Sequence, residues 1–339
     1  MSTNVKITAS PHVRSTDSTI QIMWSVVYSL IPVIACSIYF FGPSAILVLL
    51  TCVAGCLLTE RLLGSTPGSV ADGSAMITGL LLGLTLPPGF PLWMALIGSF
   101  FGMAFGKIIF GGLGQNIFNP ALVGRAFLQA AFPVAITTWP AKSQSWLSLQ
   151  GDNFALPFMS PVVDTATAAT PLGILKFGDE PVVTPLADLF FGTTTGSLGE
   201  TSALFILLGG LYLAWRGHLN WHIPLSIFVS AFLVSGLFYV IGISQFPPLF
   251  MLFSGGMMLG AFYMATDMVT SPVSNKGCWM FGFGIGFLTV VIRIWGGLPE
   301  GVMYSILLMN ALVPFINRAS QPRLFGTSGK PKEKKEDAS

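Results

Sequence analysis

Charge is scarce in this chain: of 339 residues, only 9% are Asp, Glu, Lys or Arg. A soluble domain carries about a quarter, so the surface a water-soluble enzyme needs is missing. There are three histidines and four cysteines (Cys36, Cys52, Cys56, Cys278), with no Cys-x-x-Cys and no cysteine in the long polar stretch. Neither a disulfide framework nor an iron–sulfur or zinc site made by this chain alone is indicated. No Gly-rich phosphate loop and no nucleophile–His–acid set is visible. The first 23 residues are polar and lack the apolar region of a cleavable signal, so the first span is expected to stay in the membrane. The one basic run, Lys330, Lys332, Lys334 and Lys335, is interleaved with Glu333 and Glu336 and makes no nucleic-acid surface.

Apolar residues are plentiful: 53% of the chain, with 28 Phe, 14 Met and 8 Trp, at a mean hydropathy of +0.74. The 38 Gly and 23 Pro fit membrane helices, where neighbours satisfy freed backbone groups. A span needs about 20 apolar residues. Ten candidate stretches are read, several of them short or broken: 24–42, 45–63, 74–88, 91–110, 117–136, 201–215, 220–242, 248–265, 277–294 and 299–316. The third ends at Pro87-Pro88-Gly89, the fifth starts beside Asn119-Pro120, and the eighth runs into Asp267 and Pro272. With the N-terminus inside, twelve of sixteen basic residues fall on the cytoplasmic side, as the positive-inside rule expects. Lys142, Lys176 and Arg293 fall outside, and Arg125 within a span.

The expected fold class is an all-α polytopic membrane protein of about ten transmembrane helices in two inverted five-helix repeats, with interrupted helices. The expected divisions are a cytoplasmic segment 1–23, a first repeat 24–136, an outer loop 137–200, a second repeat 201–316 and a cytoplasmic tail 317–339. Five stretches precede the loop and five follow it, so the second set enters the membrane inverted. The short, interrupted third and eighth stretches occupy equivalent places, the pointer to a site near the midplane. Gly98-x-x-x-Gly102-x-x-x-Gly106 and Gly256-x-x-x-Gly260 put small residues on one helix face and read as packing.

The outer loop holds Asp164-Thr165-Ala166-Thr167-Ala168-Ala169-Thr170, small residues with three threonines and one carboxylate. By residue chemistry alone it is a low-complexity connector with exposed hydroxyls. The spacing Asp164-x-x-Thr167-x-Ala169-Thr170 resembles the flavinylation motif Asp-x-x-Ser/Thr-Gly-Ala-Thr, departing from it at Ala168. Ser10-Pro-His-Val-Arg14, Gly111-Gly-Leu-Gly-Gln-Asn116-Ile-Phe-Asn119-Pro-Ala-Leu-Val-Gly-Arg125 and Asp267-Met-Val-Thr-Ser-Pro272 extend the likeness over nearly the whole chain. Together they resemble the NqrB/RnfD family, whose RnfD members belong to Rnf ion-translocating electron-transport complexes and whose NqrB members belong to sodium-pumping NADH:quinone reductases. The RnfD branch is the nearer likeness.

That resemblance implies FMN esterified through its phosphate to Thr170 by a separate flavin transferase, with Asp164 and Thr167 in the recognition motif. Thr165 and Thr167 compete for the attachment, and position in the motif favours Thr170. It implies a subunit of an ion-translocating oxidoreductase, coupling ferredoxin/NAD electron transfer to movement of Na+ or H+. The chain itself would bind neither NAD nor ferredoxin. Implied partners are the other Rnf subunits, among them a second flavinylated subunit and membrane iron–sulfur subunits, together with membrane lipid. The implied location is the bacterial inner membrane, with both termini cytoplasmic. Related subunits hold a second, non-covalent flavin (riboflavin) near the asparagines matching Asn116 and Asn119; a helix cap formed by Asn119 and Pro120 accounts for the same pair.

Arg125 sits about two turns into the fifth stretch, and such intramembrane charges face a bundle interior or cavity. With Asp267 it is expected to serve the flavin, line an ion path, or form an ion pair between the two. Lys107 and Lys276 are expected to snorkel to the interface. His218-x-x-x-His222 places two imidazoles on one expected helix face, read as an interfacial anchor beside Trp221 rather than a metal site. The alternative functions are a small-solute transporter or channel of urea-transporter-like fold, and a cofactor-free scaffold. Neither accounts for the Asp164–Thr170 motif.

Overall fold

A computed structural model describes residues 17–64, 69–139, 149, 151–157, 170–177, 184–192, 194–200, 202–297 and 299–322. Helices dominate, and no strand occurs among the described residues. The first half contains α1 (Thr19–Phe41), α2 (Pro43–Leu63), α3 (Ser74–Leu84), α4 (Leu92–Gly106), α5 (Pro120–Ala131) and α6 (Pro133–Thr137). Two short helices follow, α7 (Pro171–Phe177) and α8 (Leu186–Phe191). The second half contains α9 (Ala203–Trp215), α10 (His222–Val240), α11 (Pro248–Phe253), α12 (Met257–Leu259), α13 (Asn275–Trp295) and α14 (Val302–Ser320). A π-helical turn, Gly260–Met264, continues α12.

Six segments are long and apolar enough to cross a membrane: α1, α2, Leu92–Phe110, α10, α13 and α14. The chain is a multi-pass membrane protein. Leu50, Leu62, Leu233 and Phe315 are exposed outward, as surfaces meeting lipid must be. Local sequence sets the helix ends. Ser18 and Gln21 form a reciprocal capping box that starts α1. Gly42, at φ 64°, turns the chain between α1 and α2 in one residue. Asn119 Oδ1 accepts from the Ala121 N–H at 3.0 Å, with Pro120 at the first helical position of α5.

Two helices break inside the bundle. α3 stops at Leu84, and the carbonyls of the following residues find donors from elsewhere. Gly199 N–H donates to Leu84 O (2.6 Å), Leu198 N–H to Leu86 O (3.1 Å), and Arg125 to Thr85 O (2.8 Å). Asn153 Nδ2 holds Pro88 O (3.0 Å) and Phe90 O (3.1 Å). In the second half α11 stops at Phe253, where Arg293 donates to Met251 O (2.5 Å) and Ser254 O (2.8 Å). Asn119 Nδ2 donates to Met264 O at 3.2 Å, the end of the π turn.

The helix pairings run in parallel through the two halves. α2 packs on α3 and α4, and α4 on α5; α10 packs on α11 and α13, and α13 on α14. α1 meets α9, and α5 meets α14, across the junction. Close approach of α4 and α5 requires the glycines: a Cβ on Gly102 would lie 2.8 Å from Pro120 O, and one on Gly124 2.7 Å from Gly98 O. Gly260 likewise seats Val302 of α14.

Three expectations need correction. Lys107 does not snorkel: it is buried, paired with Glu60 of α2 and donating to Ser74 Oγ at 2.5 Å, at the N-terminus of α3. A cation at the end of α4 can stay inside because α2 brings a carboxylate to it. Arg293, expected at the outer surface, is fully buried in the last turn of α13. His218 lies between α9 and α10, not on a helix shared with His222. It bonds Ser25 Oγ through Nδ1 at 2.6 Å, while His222 bonds Asn220 Oδ1 at 2.7 Å.

Removing one member of a buried ion pair costs about 3–5 kcal/mol, whereas replacing both costs far less. Lys107→Met should lower the thermal unfolding midpoint of the detergent-solubilised chain markedly, and Glu60→Gln in the same molecule should recover most of the loss. Equal destabilisation of the single and double variants would contradict the pairing.

Candidate functional site

Thr170 immediately precedes α7 and caps it: its Oγ1 accepts from the Gly173 N–H at 3.1 Å. The residue is 7% exposed, and it borders a cleft of about 530 Å³. The α7 segment contributes Thr170, Gly173 and Phe177; α5 contributes Arg125 and Gln129; Trp139 follows α6; Glu300 immediately precedes the cap of α14 and Tyr304 lies in its first turn. Ligand pockets occupy about 300–1,000 Å³ and combine apolar walls with a few polar groups. This cleft has that size, two aromatic rings beside Phe177, an amide and one permanent cation.

Arg125 is the fixed element of the cleft. One guanidinium nitrogen holds Thr85 O at 2.8 Å and the other pairs with Glu300. Its expected partner, Asp267, is elsewhere: that carboxylate accepts from the Val269 N–H and the Thr270 hydroxyl, both at 3.3 Å, closing the turn after the π segment. An Arg125–Asp267 pair is therefore corrected to Arg125–Glu300. Lys176, at the end of α7, donates to Gly296 O at 2.5 Å and ties α7 to the segment leading into α14. Partial burial lowers the pKa of the Lys176 ammonium and raises that of the Asp152 carboxyl.

Asn116 and Asn119 line a different cavity, of about 90 Å³, with Lys107, Thr78, His218 and Asp267. Asn116 Nδ2 donates to Phe118 O at 3.2 Å, and its Oδ1 is buried without a partner. The structure thus separates Arg125 from the two asparagines, and groups it with Thr170. The motif residues Asp164 and Thr167, like Ser10–Arg14 and the basic tail, lie outside the described residues. Among the described residues no group of three His, Cys, Asp or Glu is placed to hold a metal.

Sequence reasoning passed over Glu300, Trp139, Gln129 and Tyr304. Glu300 carried a usable signal, an acid in Leu298-Pro299-Glu300-Gly301 at the edge of an apolar stretch. Its partner, 175 positions away, does not follow from spacing.

The family model described as "NQR2, RnfD, RnfE family" matches residues 6–326. Similar to this chain is the D-type subunit of the proton-translocating ferredoxin:NAD(+) oxidoreductase complex of Clostridium ljungdahlii, 44% identical over 95% of this chain and 96% of the relative. The D-type subunit of the Na(+)-translocating ferredoxin:NAD(+) oxidoreductase complex of Acetobacterium woodii is 40% identical over 98% of both. That of the ion-translocating oxidoreductase complex of Aliivibrio salmonicida is 39% identical over 94% of this chain and 98% of the relative.

Glu300→Ala should leave the buried Arg125 without its counter-charge, at a cost of about 3–5 kcal/mol. Glu300→Gln keeps an acceptor for the guanidinium and should lose about 1–3 kcal/mol. Thermal unfolding in detergent separates the two, and equal stability of Glu300→Ala and wild type would show the pair to be idle.

Proposed function

The chain belongs to the NQR2, RnfD, RnfE family, and from that premise we propose that it is the electron-carrying membrane subunit of an Rnf-type complex. In this reading the complex couples ferredoxin/NAD electron transfer to translocation of Na+ or H+. FMN is joined by a phosphoester to the Thr170 hydroxyl by a flavin transferase. The observation that carries it is the placement of the Thr170 side chain at the wall of a cleft of about 530 Å³, large enough for an isoalloxazine ring.

The chain's own residues suit that use. The Gly173 N–H fixes Thr170 Oγ1, so the attachment atom has one position at the cleft edge. Arg125 sets a permanent positive charge in the wall, which favours binding of an anionic group and a higher electron affinity beside it. Trp139, Tyr304 and Phe177 offer rings for a planar ligand. When bound, the flavin supplies one-electron redox chemistry that no side chain here possesses. Riboflavin at Asn116 and Asn119 would require the walls of that cavity to open, since about 90 Å³ is below the size of ligand pockets.

The broken α3 and the broken α11–α12 segment, with the matching helix pairings around them, favour ten spans in two inverted repeats. With the basic residues on the inner side, the Thr170 loop then faces outward and both termini lie in the cytoplasm of an inner-membrane protein. A second flavinylated subunit on the outer face and iron–sulfur subunits in the membrane would exchange electrons with this chain. A solute channel gives the Thr170 cleft no task.

Co-expressed with a flavin transferase, the denatured wild-type band should fluoresce under ultraviolet light, and its flavin mass should map to the peptide ending at Thr170. Thr170→Ala should be dark while still inserted in the membrane, and Thr170→Ser should keep the flavin. Fluorescence retained in Thr170→Ala would move the attachment elsewhere.

A further inference from the structure

Behind the Arg125 wall of the cleft lies a second carboxylate, Glu200, which follows the segment Ser197–Gly199 hydrogen-bonded to the broken end of α3. One of its oxygens, Oε2, accepts a long 3.4 Å bond from the Ser197 N–H. The other, Oε1, is enclosed and has no donor among the described residues. It rests against Gly256, whose missing Cβ would come within 3.3 Å. Glu300 lines the same two small voids as Glu200. Two ionised carboxylates are acceptors only, and a bond between them exists only with a proton on one of them.

We propose that Glu200 and Glu300 form a proton-binding site open to the Thr170 cleft, the two carboxyls holding one shared proton at neutral pH. Among the described residues no donor reaches Glu200 Oε1, and the two guanidiniums of the cluster direct their terminal nitrogens to other acceptors, with Arg293 Nε itself buried and unpaired. Arg125 of α5 is engaged by Thr85 O and Glu300, and Arg293 of α13 by Met251 O and Ser254 O. Tyr304 of α14 borders the cleft with Arg125. The proton supplies the missing donor for Glu200 Oε1.

The surroundings select a proton over a metal cation. Sodium or a divalent ion between the carboxylates would face two guanidinium groups and would need several oxygen ligands. A proton needs only the two carboxyl oxygens. Access is through small voids. One of about 20 Å³ joins Glu200 and Glu300 to Arg125 and Thr85, room for about one water. Another of about 10 Å³ joins both carboxyls to Thr170, Thr194 and Thr195. Binding adds one proton from the cleft and takes the pair from two negative charges to one. Negative charge placed in the cleft, beside Arg125, then raises the proton affinity of the site through the shared Glu300.

The test uses the full-length chain made without a flavin transferase, so its failure is distinct from failure of the Thr170 reading. Infrared spectra in detergent at pH 7 should contain a protonated-carboxyl C=O band that shifts in D2O and disappears as pH rises. Glu200→Gln and Glu300→Gln should each remove or shift the band, and Asp267→Asn should keep it. Replacing choline with sodium at constant ionic strength should leave it unchanged. Absence of the band in wild type, its loss in Asp267→Asn with survival in both Gln variants, or its displacement by sodium would overturn the proposal. The wild-type pH and D2O spectra and the Asp267→Asn spectrum decide the matter even where a Glu variant does not fold.

Discussion

A backbone carbonyl inside a bilayer must find a donor within the protein, and this constraint organises the molecule. Each unsatisfied group costs several kcal/mol in hydrocarbon. The breaks at Leu84–Phe90 and at Ser254, and the end of the π turn at Met264, release such carbonyls. The donors that reach them are side chains and amides from distant segments: Arg125, Arg293, Asn119, Asn153, and the N–H groups of Leu198 and Gly199. The buried arginines are therefore structural before they are anything else. They bring two cations into the interior, and the interior in turn requires counter-charges.

That requirement explains the acids. Lys107 at the end of α4 is answered by Glu60 of α2, and Arg125 of α5 by Glu300 at the head of α14. Both pairs cross between helices that are distant in sequence, so each locks an interhelix contact while satisfying the cation. The glycines of α4 and α5 serve the same end. Without side chains at Gly102 and Gly124, the two helices close to backbone contact, which fixes where on α5 Arg125 meets the break after α3.

Much of this was legible in the sequence. The positions of the long helices, the end of the third stretch near Pro87-Pro88 and the Asn119-Pro120 cap follow from hydropathy, proline placement and capping chemistry, all of which are local; the break at Ser254, inside a stretch read as continuous from 248 to 265, does not. The glycine spacing was legible as packing for the same reason. The fate of the charges was not. Lys107 near a span end reads as an interfacial residue unless α2 is known to deliver Glu60, and Arg293 reads as an outer residue unless α11 is known to end against it. Pairings of this kind depend on which helices touch, and a single sequence carries no record of that. Thr170 was singled out by its motif; its place at a cleft wall with Arg125, Trp139 and Tyr304 comes from the fold alone.

The site combines these two levels. The cleft beside Thr170 borders a cluster of two guanidiniums and two carboxylates, Arg125, Arg293, Glu200 and Glu300. With both acids ionised, the cluster is electrically neutral and tolerable in a low-dielectric interior. With one proton added it carries a single positive charge, which negative charge close by stabilises further. Electrostatic energy falls slowly with distance in such a medium, and Glu300 belongs to both the cleft wall and the carboxyl pair. Charge arriving in the cleft and a proton arriving at the pair therefore favour one another. The coupling needs no large movement, because the residue common to both sites is held by Arg125, and Arg125 is held by the broken end of α3.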